Sequence, residues 1–220
     1  MTSEDLRALL RTVPTLTGTG PAFDPDDAPE NPLPLFVDWL VTAIEHDDVA
    51  EPAAMTLSTV DANGRPSARV LILKNADEAG WQFASSALSR KGRELAQNGA
   101  AALTFYWVPL ARQVRISGIV KAADPDDSAN DFLARNESAR AAAIASRQSE
   151  PLAHKNDLDR ALAEVAARIE EDPTLTAKDW TLYTLQPDEI EFWQGDKNRQ
   201  HQRLQYRRST DGWRRTRLWP

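Results

Sequence analysis

The 220-residue chain has no cysteine and only three histidines, His46, His154 and His201, which lie far apart. Without cysteine there is no disulfide, no thiolate nucleophile and no thiolate metal site, and the scattered histidines give no reason to expect a metal. No apolar run approaches the ~18 residues of a membrane span. The opening "MTSEDLRALL" lacks the basic and apolar regions of a signal peptide, so the expected address is the cytoplasm, with no membrane partner. No Gly-x-Gly-x-x-Gly joins a strand pattern to a helix pattern, since "GTGPAF" lacks the third glycine and both flanks, and there is no P-loop motif. The common phosphate-loop folds are excluded.

What is present is an ordinary globular composition, 41% hydrophobic and 27% charged, with seven tryptophans and a net charge of −7. That length and composition suit one sizeable core. Trp213 stands next to Arg214 and Trp219 two residues past Arg217, which suits stacked or half-buried indoles at an interface. The charge is unevenly spread. Residues 1–60 hold eleven Asp or Glu against two Arg, whereas Lys197 to Pro220 holds eight Lys or Arg and one Asp. This basic run must face an anion or an acidic surface. Arg199, His201 and Arg203 recur with period two, so on a strand all three leave one face.

The organisation is legible in outline. Residues 1–30, with "GPAFDPDDAPENP", are expected as an extended, partly mobile arm, and residues 31–220 as one domain. "PLPLFVDWLVTAIEHD" spaces Leu33, Phe36, Val37, Leu40 and Ile44 as one face of a helix, with Pro34 in its first turn. "AMTLSTV", "RPSARVLILK" and "GWQFASS" follow as strands across the hairpin-type turns "DANG" and "NADEAG". "SRKGRELAQNG" is a short helix capped by Ser89 and stopped at Asn98-Gly99. "AALTFYW" and "QVRISGIVKAA" are strands flanking "VPLAR". Helices and loops fill Pro125 to Asp172, with Leu158, Leu162, Val165 and Ile169 marking the clearest helix. "WTLYTL", "EIEFWQG" and "RQHQRLQYRR" are three further strands, and "WRRTRLWP" follows the turn "STDG". About eight short strands interrupted by helices predict a mainly β, antiparallel barrel or sandwich with flanking helices.

The chemistry starts at Arg90 and Lys91. Cations in a helix's first turn oppose its dipole by ~0.3–1 kcal/mol each, and a phosphate there relieves the conflict. Arg69 and the Ser85-Ser86 pair supply a third cation and hydroxyl donors, which completes a phosphate cradle.

From about Leu33 to Pro220 the chain resembles the pyridoxine/pyridoxamine 5′-phosphate oxidases. The resemblance rests on "RVLILK" (Arg69–Lys74), "SRKGREL" from Ser89, "RQV" (Arg112–Val114), "SRQS" (Ser146–Ser149) and "EFWQGDKNRQHQRLQY". It implies an antiparallel Greek-key split β-barrel that binds flavin mononucleotide (FMN) across a homodimer interface. It also implies hydride transfer from pyridoxine or pyridoxamine 5′-phosphate to FMN, then to O2, giving pyridoxal 5′-phosphate and H2O2. By this resemblance Arg69, Ser85, Arg90 and Lys91 hold the flavin phosphate. Val70, Leu71, Lys74, Ala84, Gln113, Gln148, Ser149, Trp193 and Arg203 line the rest of the cofactor. Lys74, Arg135, Arg199 and His201 face the substrate; Arg199 and His201 act in catalysis, His201 as a proton acceptor. No metal is implied, because the cofactor performs the difficult step.

The pattern departs from the family at the substrate phosphate. Where B6-phosphate oxidases place a Tyr, an Arg and a Ser, this chain has Asp131, Arg135 and Ala139, and Asp131 repels a phosphate. "TLTGTGPAF" also resembles the branch of flavin oxidases in phenazine biosynthesis, which oxidise an unphosphorylated reduced aromatic. That is the alternative enzyme reading, and a non-catalytic flavin-binding protein is the alternative of another class. A nucleic-acid partner is not expected of an acidic chain without a nucleic-acid motif.

Overall fold

The computed structural model describes residues 2–220. The chain forms two compact units, one of residues up to 55 with 104–116 and 189–220, the other of residues 56–103 and 117–188. The order is α1 (Ser3–Thr12), α2 (Pro32–Ile44), β1 (Ala54–Val60), β2 (Pro66–Ile72), β3 (Asn75–Asp77), β4 (Gly80–Ser86) and α3 (Arg90–Gln97). Then follow β5 (Ala100–Trp107), a 3-10 turn (Val108–Leu110), β6 (Arg112–Ala122), α4 (Pro125–Leu133), α5 (Glu137–Ala145) and α6 (Lys155–Glu171). The chain closes with β7 (Trp180–Gln194), β8 (Gln202–Ser209) and β9 (Gly212–Arg217). The strands hydrogen-bond in the order β2-β1-β5-β6-β7-β4-β3, with β8 on β7 and β9 on β8. The β3/β4, β4/β7, β7/β8 and β8/β9 pairs are antiparallel. This is the mainly β architecture with flanking helices that the sequence predicts. Among the described residues no helix is long and apolar enough to cross a membrane.

Local chemistry fixes the turns. Asp61 accepts from the amides of Asn63 and Arg65 at 2.8 and 2.9 Å, and Gly64 takes a φ of +76°, a conformation that glycine adopts without a Cβ clash. Asp77 performs the same service for Ala79 and Gly80. The two strands expected as "WTLYTL" and "EIEFWQG" are one continuous 15-residue β7 that passes through Pro187.

Three expectations are corrected. Residues 3–12 are not extended but form α1, because Thr2 and Asp5 make a reciprocal capping box. The rest of the arm is pinned rather than loose. Tyr206 donates to Pro29 O at 2.7 Å, Arg217 pairs with Asp24 and Asp26 at 2.9 and 3.3 Å, Arg215 bonds Ala28 O, and Arg112 bonds Pro21 O at 3.2 Å. Here the basic tail meets its acidic surface, and the acid is the chain's own arm. Farther back, Gly18 and Gly20 lie so close to the carbonyls of residues 108–110 that a Cβ on either would come within 2.0 and 2.6 Å of an oxygen.

The third correction concerns α2. Its buried face is Pro32, Leu35, Phe36, Trp39 and Ala43, while Val37 and Ile44, assigned inward by spacing, are 42% and 59% exposed. Aromatic packing sets that rotation. Trp39 meets Phe23 and Phe192 edge-on at 5.1 and 5.2 Å, and Phe36 meets Phe105 at 5.2 Å. The buried Arg112 guanidinium lies 4.3 Å over the Trp39 ring. Trp39→Ala should therefore cost about 3–5 kcal/mol in urea unfolding, several times the cost of Ile44→Ala; equal costs would return the buried face to the one spacing suggests.

Candidate functional site

The second unit carries the cradle. Ser89 caps α3, accepting from Gly92 N at 3.2 Å, and Gly92 is needed because a Cβ there would meet Ala87 O at 2.4 Å. Arg90 follows the cap, its amide donating to Ser149 Oγ at 3.0 Å and its Nε to Glu94 Oε1 at 2.7 Å. Lys91 donates to Gln148 Oε1 at 3.0 Å. Arg69, on β2, bonds Thr59 Oγ1 at 2.6 Å and Ser67 Oγ at 2.5 Å and lies 3.4 Å from Glu94. Thus Arg69, Arg90, Lys91, Gln148 and Ser149 come together as the sequence resemblance implies.

Glu94, which the sequence reading missed, organises the group. Its carboxylate is buried, and burial pushes its pKa up, but hydrogen bonds from Ser67, Thr59 and Arg90 outweigh that and hold it at about 2. The available signal was its position four residues after Arg90 on the same helix. One carboxylate against three cations leaves two positive charges in surplus, which matches the ~1.5–2 negative charges of a phosphomonoester. Lys91 feels the surplus: burial first, then Arg69, lowers its pKa. An anion is what this cradle fits.

The cavity beside it, about 500 Å³, is lined by Val70, Leu71, Ala84, Ser85, Lys91 and Gln148, all foreseen, together with Arg135, Ala139 and Trp180. Lys74 pairs with Asp131 at 3.1 Å, and Asp131 also accepts from Trp180 Nε1 at 2.8 Å. Asp131 is thus a partner of Lys74 as well as a charge set against phosphate.

The other unit holds the remaining foreseen residues, Gln113, Trp193, Arg199, His201 and Arg203. The period-two strand face is corrected here. Arg199 sits in a turn with φ +67°, its amide donating to Asp196 O, and His201 precedes β8, so only Arg203 is on the strand. The turn is tied by Asp196, whose side chain accepts from Asn198 N at 2.7 Å and whose amide donates to His201 Nδ1 at 3.0 Å. The His201 ring lies 5.0 Å from that of Trp193. Arg203, opposite Trp193 in register, pairs at 2.8 Å with Glu191, which also holds Arg115 at 2.6 Å. Glu191, likewise missed, is only 3% exposed.

Comparison with known proteins is consistent with both units. A profile described as pyridoxamine 5′-phosphate oxidase matches residues 43–171, and one described as the pyridoxine 5′-phosphate oxidase C-terminal dimerisation region matches residues 180–220. A pyridoxine/pyridoxamine 5′-phosphate oxidase of Janthinobacterium sp. (strain Marseille) is 43% identical over 195 residues, 88% of this chain and 92% of that protein. One of Rubrobacter xylanophilus is 42% identical over 195 residues, 89% of each. Among solved structures, PhzG from Burkholderia lata 383, in complex with tetrahydrophenazine-1-carboxylic acid, superposes with a TM-score of 0.83 at 33% identity. The match covers 92% of this chain and 100% of that one. The fold is therefore the split barrel of these proteins.

The cradle yields a pH test. Because the folded-state pKa of Glu94 is depressed from 4.5 to about 2, its charge stabilises the fold fully above pH 4.5, and the contribution is lost as pH falls through about 2. Glu94→Gln should destabilise the protein by ~1–3 kcal/mol at pH 7, and the gap to wild type in chemical unfolding should narrow below pH 4.5. A gap constant from pH 7 to pH 3 would contradict the assignment.

Proposed function

Because this chain belongs to the pyridoxamine 5′-phosphate oxidase family, whose cofactor is FMN, we propose that it is a cytoplasmic FMN-dependent oxidase of a small planar aromatic bearing an acidic group. The observation that carries this reading is the cradle of Arg69, Arg90 and Lys91 around α3, with its two surplus charges. Bound there, FMN would supply the hydride-accepting chemistry, with O2 as the final acceptor and H2O2 as the product.

The chain's residues do the rest. Arg69, Ser85, Arg90 and Lys91 hold the phosphate; Val70, Leu71, Lys74, Ala84, Gln148 and Ser149 line the remainder of the cofactor. In the homodimer that the dimerisation-region match supports, Gln113, Trp193 and Arg203 complete the cofactor site. Lys74, Arg135, Arg199 and His201 face the substrate. Arg199 orients the acidic aromatic and offsets negative charge. His201 takes a role other than the proton acceptor first expected. Its Nδ1 already accepts from Asp196 N, so the neutral ring carries its proton on Nε2 and donates there.

Two substrates fit this frame. The relatives' names point to pyridoxine or pyridoxamine 5′-phosphate, oxidised to pyridoxal 5′-phosphate. The ligand of the PhzG structure points to an unphosphorylated reduced aromatic, and Asp131, bonded to Lys74 and Trp180, favours that second reading.

The purified protein should be yellow and dimeric, with one FMN per chain, and should form peroxide with one of the two substrates. Lys91→Ala should weaken FMN binding, read by flavin fluorescence, by ~1.5–3 kcal/mol, the worth of a charged hydrogen bond. Flavin bound without peroxide from either substrate would leave a non-catalytic flavin protein, and no flavin uptake would refute the reading outright.

A further inference from the structure

The cavity that holds Lys91 and Ser85 is also walled by Arg135, Ala139, Ala142, Ala143 and Trp180. Arg135 lies 4.2 Å over the Trp180 indole and gives a 3.3 Å hydrogen bond to Ala139 O, while its Nε is buried without a partner. Trp180 is held in turn, its Nε1 donating to Asp131 Oδ2 at 2.8 Å, and the other carboxylate oxygen takes Lys74 Nζ at 3.1 Å. Asp131 also acts electrostatically on Arg135, whose own burial works against its charge. The alanines that complete the wall bring no side-chain donor.

Charge decides what this group can hold. Two cations share one carboxylate, so a single positive charge is left over. A carboxylate brings one negative charge and two acceptor oxygens, which suit the planar guanidinium that lines the cavity. A phosphomonoester brings ~1.5–2 charges at neutral pH, and the excess would be half-buried next to Asp131, where little solvent screens it.

We propose that Asp131 sets the charge selectivity of this pocket, so that it prefers a planar aromatic bearing one carboxylate to the same ring bearing a phosphate. The inference rests on reading the cavity as the substrate pocket of an FMN-dependent oxidase. Asp131 is a positioning residue here, acting through Lys74, Trp180 and Arg135.

The test uses FMN-loaded, full-length protein and two probes that differ only in their acid, 1-naphthoate and 1-naphthyl phosphate, with binding read by calorimetry. Wild type at pH 7.5 should bind the naphthoate about tenfold more tightly. Asp131→Asn keeps an oxygen for the indole and removes the charge, so it should shift the ratio about tenfold toward the phosphate. A purely structural role for Asp131 would leave the ratio unmoved, and that result overturns the proposal, as would a wild-type preference for the phosphate.

A second measurement needs no variant. Lowering the pH from 7.5 to 5.5 takes the aryl phosphate (pKa ≈ 6) to its monoanion. Its binding to wild type should then tighten relative to naphthoate, which serves as the control for changes in the protein itself; no relative gain overturns the proposal. Failure of both probes to bind protein that holds FMN also overturns it, while peroxide formation reports on the oxidase reading separately. Protein that holds no FMN yet keeps the naphthoate preference would sustain the charge rule and remove the oxidase reading.

Discussion

A buried carboxylate that gathers arginines is the interaction on which both clusters of candidate site residues depend. Glu94 does it in one unit, for Arg69 and Arg90, and Glu191 does it in the other, for Arg115 and Arg203. Each glutamate is almost wholly buried, and a lone charge in that position would be costly. Paired in this way it becomes an anchor that fixes several long, flexible cations at once. The entropy of ordering those side chains is met in folding, before any ligand arrives. A preformed cradle follows from the glutamate more than from the arginines.

The same logic grades the pocket. Each cluster is left positive by an amount set by how many carboxylates lie within it. Around α3 the surplus is two, and around Arg135 it is one. Had Asp131 been a neutral donor, the second cluster would resemble the first, and the cavity would have carried two phosphate-like ends. One side chain on α4 makes the two ends chemically unlike, so that on the reading proposed above the flavin phosphate and the acid of the substrate are matched to different ends.

Much of this was legible in the sequence, and the parts that were not share a cause. Ser89, Arg90 and Lys91 announced the cradle because a cation-rich helix start conflicts with the helix dipole. The turns at Asp61 and Asp77 announced themselves through short-range side-chain to backbone bonds. Both signals are local. The rotation of α2 came instead from Phe23, Phe105, Phe192 and Arg112, residues distant in sequence that no helical period can weigh. The strand drawn through Arg199 failed because Asp196 captures the following amides in a turn, a competition that alternation of side chains does not register. Glu94 and Asp131 were visible as letters, but their partners Ser67 and Lys74 lie 27 and 57 residues away in sequence, so pairing and not residue type was the missing information.

Gly18 and Gly20, pressed against the backbone of residues 108–110, have a consequence for how this sequence can change over time. The contact is backbone on backbone, so no repacking of a neighbouring side chain can make room for a Cβ. Drift at these two positions is closed off by geometry, whereas α1, which buries none of its residues within the chain, meets no such limit from the chain's own backbone. Within one short arm, the chain therefore sets a stretch without internal packing limits beside a stretch that can barely vary, and the boundary falls between Thr12 and Gly18.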